Sequence, residues 1–85
     1  MKSRLDPDVQ KQLDKMDKHI AERLLKGIKK LEEEPPQGDI VPLVEIKGAF
    51  RLKLGDYRIM YEVADNWIKV FRISRRDKAY KWRKG

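Results

Sequence analysis

The period of the apolar residues changes once along this 85-residue chain, and the change falls at Pro35-Pro36. Before it, Val9, Leu13, Met16, Ile20, Leu24, Ile28 and Leu31 recur at steps of 4, 3, 4, 4, 4 and 3, which is one stripe of a helical surface. After it, β-branched and aromatic residues alternate with charged ones, the period of a half-buried strand. A helical stripe and a one-sided sheet each need an apolar partner, and in so short a chain they must cover one another. The length lies below the usual domain of roughly 100–200 residues, so residues 1–85 are expected to form a single domain.

Local signals divide the chain further. Residues 2–5 suit a short edge strand. Asp6 then reads as a helix N-cap, with Pro7 at the first helical position, where no backbone donor is lost. One helix over residues 7–34 would be about 42 Å long, which overhangs any core this chain can build. Asp17 is placed to cap a second helix, so a break is expected near residues 15–18. Pro35-Pro36 forbids continuation. Residues 37–42 read as loop, residues 43–46 as a further short strand, and Lys47-Gly48 as a turn. Residues 50–54, 57–64 and 67–74 read as strands, joined by the hairpin dipeptides Gly55-Asp56 and Asp65-Asn66. The expected fold is α+β: a small antiparallel sheet with two N-terminal helices packed on one face, in the order β-α-α-β-β-β.

Composition narrows the functions. Cysteine is absent, which excludes disulfides and thiolate metal sites. No apolar run approaches the roughly 20 residues of a membrane span. The N-terminus carries no apolar stretch behind its charges, so no signal peptide is read there and the expected compartment is the cytoplasm. Residues 1–45 hold 9 basic and 10 acidic side chains, a net of −1. Residues 46–85 hold 12 and 4, a net of +8, and the two sum to the chain's +7. A cationic strand half beside a neutral helical half points to a polyanionic partner, most often nucleic acid.

The hairpin register places that charge. With a two-residue loop at Gly55-Asp56, Leu54 opposes Tyr57, Lys53 opposes Arg58, Leu52 opposes Ile59 and Arg51 opposes Met60. One face then carries Phe50, Leu52, Leu54, Tyr57, Ile59 and Tyr61 and suits the helix stripe. The other carries Arg51, Lys53 and Arg58. Like charges directly across a sheet destabilise it, and a local rule broken in this way marks a candidate functional site. A second two-residue turn at Asp65-Asn66 places Glu62 opposite Lys69. It also drops Arg72 onto the buried face, which calls for a bulge, a longer turn or a position at the sheet edge.

The run Phe50-Arg51-Leu52-Lys53-Leu54-Gly55-Asp56-Tyr57-Arg58-Ile59-Met60-Tyr61 resembles the RelE branch of the RelE/ParE toxin superfamily. Its pattern is an aromatic, alternating basic and apolar residues, a Gly-Asp turn, then Tyr-Arg and two hydrophobics before a second Tyr. The ending Ile73-Ser74-Arg75-Arg76-Asp77-Lys78-Ala79-Tyr80 is similar to the branch's C-terminal basic-plus-tyrosine signature. The resemblance implies a ribosome-dependent endoribonuclease that cuts mRNA in the ribosomal A site and is held inactive by a cognate antitoxin protein. It implies a catalytic set of Arg51, Lys53, Arg58, Arg75 or Arg76, and Tyr80. Relatives often carry lysine where Arg51 stands; arginine stays protonated, so Lys53 is the better candidate for proton transfer.

These residue types suit attack of a ribose 2′-OH on its own phosphate. Guanidinium groups of Arg51, Arg58 and Arg75 or Arg76 grip phosphate oxygens and stabilise developing charge. Lys53 moves a proton, and Tyr80 stacks on a base or orients the 2′-OH. No cofactor and no metal are expected, because His19 is the one histidine and the basic half offers no clustered carboxylates. His19 reads as a solvated helix residue, Tyr57 and Tyr61 as core, and Trp82 as a staple against the sheet. Two other readings are a ParE-like inhibitor of DNA gyrase and an RNA-binding relative without activity.

Overall fold

Two helices, not one, carry the apolar stripe. In the computed structural model, which describes residues 1–76, α1 runs Pro7–Lys15 and α2 Lys18–Lys30. The Asp17 carboxylate accepts the backbone N–H of His19 at 2.9 Å and so starts α2 as its composition predicts. Asp6 is different. It precedes α1 but makes no side-chain cap, and its carboxylate lies 3.5 Å from Lys69 Nζ. Its backbone N–H still donates to the Val70 carbonyl at 3.0 Å, which holds Asp6 in line with the sheet rather than over the helix start.

The sheet has five strands: β1 Lys2–Leu5, β2 Asp39–Pro42, β3 Ala49–Leu54, β4 Tyr57–Ala64 and β5 Trp67–Arg75. Their order is β1-β5-β4-β3-β2. Strands β2 to β5 pair antiparallel, but β1 lies parallel to β5, with Lys2 beside Trp67 and Leu5 beside Val70. The expected antiparallel sheet is therefore a mixed one. The reason lies in α1, which packs along β5 and reaches Ile73, where Gln12 Nε2 donates to the carbonyl at 3.0 Å. A β1 running with β5 leads the chain toward that position.

The second correction concerns residues 37–46. Strand β2 is Asp39–Pro42, inside the segment expected to be loop, and residues 43–46 form no strand. β2 is an edge, so Pro42, which has no N–H, is tolerated there. After it the Leu43 N–H donates to the Ala49 carbonyl at 2.9 Å, and the chain turns through Gly48 at φ +80°. Leu43 is thereby folded onto the sheet, where it is buried with Ala49 and Met60.

Both hairpin turns form as expected. Gly55 has φ +59°, and Asp65 and Asn66 have φ +52° and +67°. Lys53 pairs with Arg58 and Glu62 with Lys69. The Arg72 conflict is resolved by a bulge: Tyr61 pairs with Val70 and Met60 with Arg72, so Phe71 is the extra residue. The slip returns Ile73 to the helix side, opposite Ile59.

Val9 and Leu13 of α1, Leu24 and Ile28 of α2, and Leu31 just beyond it bury against Leu52, Ile59, Tyr61, Ile68, Val70 and Ile73. Tyr61 stacks on Phe50 with ring centroids 5.6 Å apart, and burial pushes its phenol above the ordinary range. Glycine in a helix interior costs about 1 kcal/mol relative to alanine. At Gly27 a Cβ would meet Leu54 Cδ2 at 2.8 Å, so α2 lies close on the β3 side chains and a larger residue there would make the leucine shift.

An ionised side chain fastens β1 to the end of the helical layer. The Glu32 carboxylate accepts the Ser3 N–H at 2.8 Å and the Ser3 hydroxyl at 2.6 Å, and the hydroxyl bond chiefly holds its pKa below the ordinary 4.5. The charged form is thus preferred in the folded state. The stability it contributes is present above about pH 4.5 and is lost as pH falls through the lowered folded value. Glu32→Gln is expected to cost about 1 kcal/mol at neutral pH, since the site is partly solvated, and to flatten the acid limb of a stability–pH profile. Urea unfolding from neutral pH to about pH 3 checks this. Parallel acid limbs for the two proteins would show that the Ser3 bonds do not stabilise the carboxylate.

Candidate nucleic-acid interface

Opposed residues on neighbouring strands share a face, and on the face away from the helices two rows cross the sheet. One runs Val41, Arg51, Met60, Arg72 and the other Asp39, Lys53, Arg58, Ser74. Arg51, Lys53 and Arg58 are thus gathered on adjacent positions of β3 and β4, where the hairpin register predicts them. Lys53 is exposed, and Arg51 and Arg58 are half-buried.

Each basic side chain is held differently. Arg58 Nη1 donates to the carbonyls of Gly55 at 2.9 Å and Tyr57 at 3.0 Å, which fixes its guanidinium beside the β3–β4 turn. Its Nε and Nη2 find no acceptor among the described residues. Arg72 Nε donates to Ser74 Oγ at 3.0 Å, which aligns the guanidinium along β5. Met60, 1% exposed, lies between Arg51 and Arg72 and gives them a common apolar floor. Leu43, Ala49, Ile46 and Phe71 pack around it, so part of this face is covered. Charge beside an apolar floor acts through a lower effective dielectric than charge in bulk water.

The two late arginines separate. Arg75 pairs with Tyr57 on the helix side, and its guanidinium lies over that ring at 5.8 Å. It is not grouped with Arg51 and Lys53. Arg76 donates its backbone N–H to the Asp56 carbonyl at 2.8 Å, is exposed, and follows Ser74 by two residues, the parity of the basic face. Tyr80 and Trp82 lie outside the described residues.

Two participants were missed by sequence reasoning. Arg72 joins the basic face only because Phe71 bulges; its misfit on the core face of an ideal register was the signal. Asp39 stands directly opposite Lys53 and supplies a carboxylate to the cluster. Residues 37–42 read as loop in sequence and carry no local signal of a pairing partner, so Asp39 is not visible there as a neighbour of Lys53. Among the described residues no three His, Asp or Glu side chains converge as a metal site would require, and no helix is long and apolar enough to cross a membrane.

Fold and site together define a small α+β domain that backs one sheet face with helices and lays arginine and lysine across the other. Over residues 4–80 the sequence matches the ParE toxin family of type II toxin-antitoxin systems. The chain belongs to the RelE/ParE superfamily of type II toxin-antitoxin toxins. Among solved structures, it is similar to a chain of the archaeal RelE–RelB complex from Pyrococcus horikoshii OT3, with 29% identity, TM-score 0.75, and coverage of 92% of this chain and 97% of that one. It also superposes on a chain of the RelB–RelE antitoxin–toxin complex from Methanococcus jannaschii, with 22% identity, TM-score 0.73 and coverage of 92% and 95%. A mutant Escherichia coli toxin RelE, in complex with a peptide of antitoxin RelB, gives 20% identity, TM-score 0.71 and coverage of 95% and 90%. The last two show the shared fold. None of the curated proteins matches this sequence.

Proposed function

We propose that this toxin is a metal-independent endoribonuclease that cleaves mRNA in the ribosomal A site. The observation that carries the reading is the pairing of Lys53 with Arg58, next to Arg51, on one sheet face. In the reaction the ribose 2′-oxygen attacks the adjacent phosphorus, the bond from phosphorus to the 5′-oxygen breaks, and the products are a cyclic 2′,3′-phosphate and a 5′-hydroxyl. Lys53 takes part in proton transfer, because among the cations gathered here its amine, unlike a guanidinium, is chemically suited to that role, and its side chain is exposed. Arg51, Arg58, Arg72 and Arg76 neutralise the developing phosphorane, and Tyr80 acts as the stacking group. Arg58 is preorganised for this role, because its guanidinium is already bonded to two carbonyls. The cytoplasm is the compartment where mRNA and ribosomes are met.

A cognate antitoxin protein is the second partner, since the similar solved chains are in complex with RelB or a RelB peptide. We place its acidic or amphipathic segment over the basic face, where it would exclude RNA. A second reading, inhibition of DNA gyrase, is favoured by the match to the ParE family.

Primer extension on a reporter mRNA, with and without programmed ribosomes, separates these readings. Cuts within A-site codons, seen only with ribosomes, are the expected result. Loss of gyrase supercoiling without any mRNA cleavage would transfer the protein to the second reading. RNA binding with neither effect would make it an inactive relative.

A further inference from the structure

Two cavities adjoin each other along α2, on the helix side of the sheet edge. The first, about 290 Å³, has Arg23, Lys26, Lys30 and Lys53 on its rim, with Asp39 the one carboxylate. Gly27, Leu52 and Leu54 form its apolar floor. The second, about 240 Å³, shares Arg23 and Leu54 with the first and adds Arg75, Tyr57 and Asp56. Together they present five cationic side chains against two carboxylates, a net of +3. None of the five forms an ion pair among the described residues. This uncompensated positive charge raises the local potential along the groove and attracts an anionic ligand.

The groove is continuous with the candidate site. β2 begins at Asp39, opposite Lys53, so beyond that point β3 is itself the edge of the sheet. Lys53 therefore belongs to the basic face and also lines the groove. The close approach of α2 to β3 at Gly27 sets Lys26 and Lys30 above the edge, about 6 Å apart along the helix axis. Arg75, which the sheet face does not use, caps the far end over the Tyr57 ring.

We propose that this groove binds the single-stranded RNA segment flanking the bond cleaved on the sheet face. Arg23, Lys26 and Lys30 hold successive phosphates, and the apolar floor and Tyr57 receive the bases between them. A phosphodiester strand matches the repetition of cationic rim over apolar floor in two adjoining cavities, because it alternates charge and flat apolar surface in the same way. An acidic peptide is the competing ligand, and it would need no such alternation. The inference rests on the ribonuclease reading.

The test measures binding of a fluorescent oligouridylate by the full-length protein across a salt series, beside cleavage on programmed ribosomes. Lys26→Ala combined with Lys30→Ala removes two exposed side chains in no ion pair, so an unchanged thermal midpoint is expected. Affinity should fall about tenfold or more near 0.1 M salt, and the slope of log K against log salt should flatten by roughly 1.4, two phosphates at ~0.7 each. An unchanged affinity and slope in a double variant of a protein that does cleave on the ribosome would overturn the groove and leave the ribonuclease reading standing. Loss of binding to an acidic peptide, with RNA binding intact, would assign the groove to a peptide and overturn it equally. Absence of both RNA binding and cleavage in the unaltered protein would overturn the two together.

Discussion

Lys53→Ala is expected to lower mRNA cleavage on programmed ribosomes by about 10²–10⁴-fold, the usual contribution of a group that moves a proton in the transition state. The side chain is exposed and makes no hydrogen bond or ion pair among the described residues, so its removal leaves the sheet intact. It also relieves the repulsion from Arg58 across the β3–β4 pair. The thermal midpoint should therefore stay the same or rise slightly while activity collapses. Lys53→Arg divides the two roles Lys53 can have. Arginine keeps the charge but does not release a proton near neutral pH, so a proton-transfer role predicts no rescue. Substantial rescue by arginine would reduce Lys53 to a phosphate contact. Undiminished cleavage by a folded alanine variant would remove it from the site altogether. Arg58→Ala differs in kind, because it gives up the two bonds to Gly55 and Tyr57 and should lower stability as well as rate.

Ile59→Ala is expected to have the largest effect on folding. Ile59 is 0% exposed and sits at the centre of the sheet, opposite Leu52 on β3 and Ile73 on β5. It belongs to the cluster that also holds Leu24 and Ile28 of α2. Truncation loses the transfer energy of the removed methylenes and leaves a cavity that strands on both sides cannot close, about 2–5 kcal/mol in total. A domain of this size has roughly 5–10 kcal/mol of stability to lose. The thermal midpoint should fall by about 8 °C or more, at about 4–8 °C per kcal/mol. Thermal and urea unfolding followed by circular dichroism measure this directly. A loss below about 1 kcal/mol would mean that the helices re-close over the site and that the core is less rigid than its packing implies. The same variant separates stability from function, since Ile59 faces the helices while Lys53 and Arg58 face away from them.

Much of this arrangement was legible because it depends on residues close together in the chain. The stripe at helical spacing, the Asp17 cap and the two tight turns are local, and they determined two helices and two hairpins. A two-residue turn fixes the pairing of its strands, so the opposition of Lys53 and Arg58 followed from Gly55-Asp56 alone. From there the sequence determined which face meets the helices and which carries charge. Three features were decided only by tertiary structure. Strand β1 runs parallel to β5, the direction that leads α1 along β5 toward Ile73. Residues 39–42 become a strand because β3 offers them an unpaired edge, and this sets Asp39 opposite Lys53. Phe71 bulges because Ile73, and not Arg72, must face Ile59 in the core, and the slip carries Arg72 to the basic face. Each of these depends on partners distant in the chain. A local period states what a segment is, whereas burial against a remote neighbour decides its direction, its edge and its register.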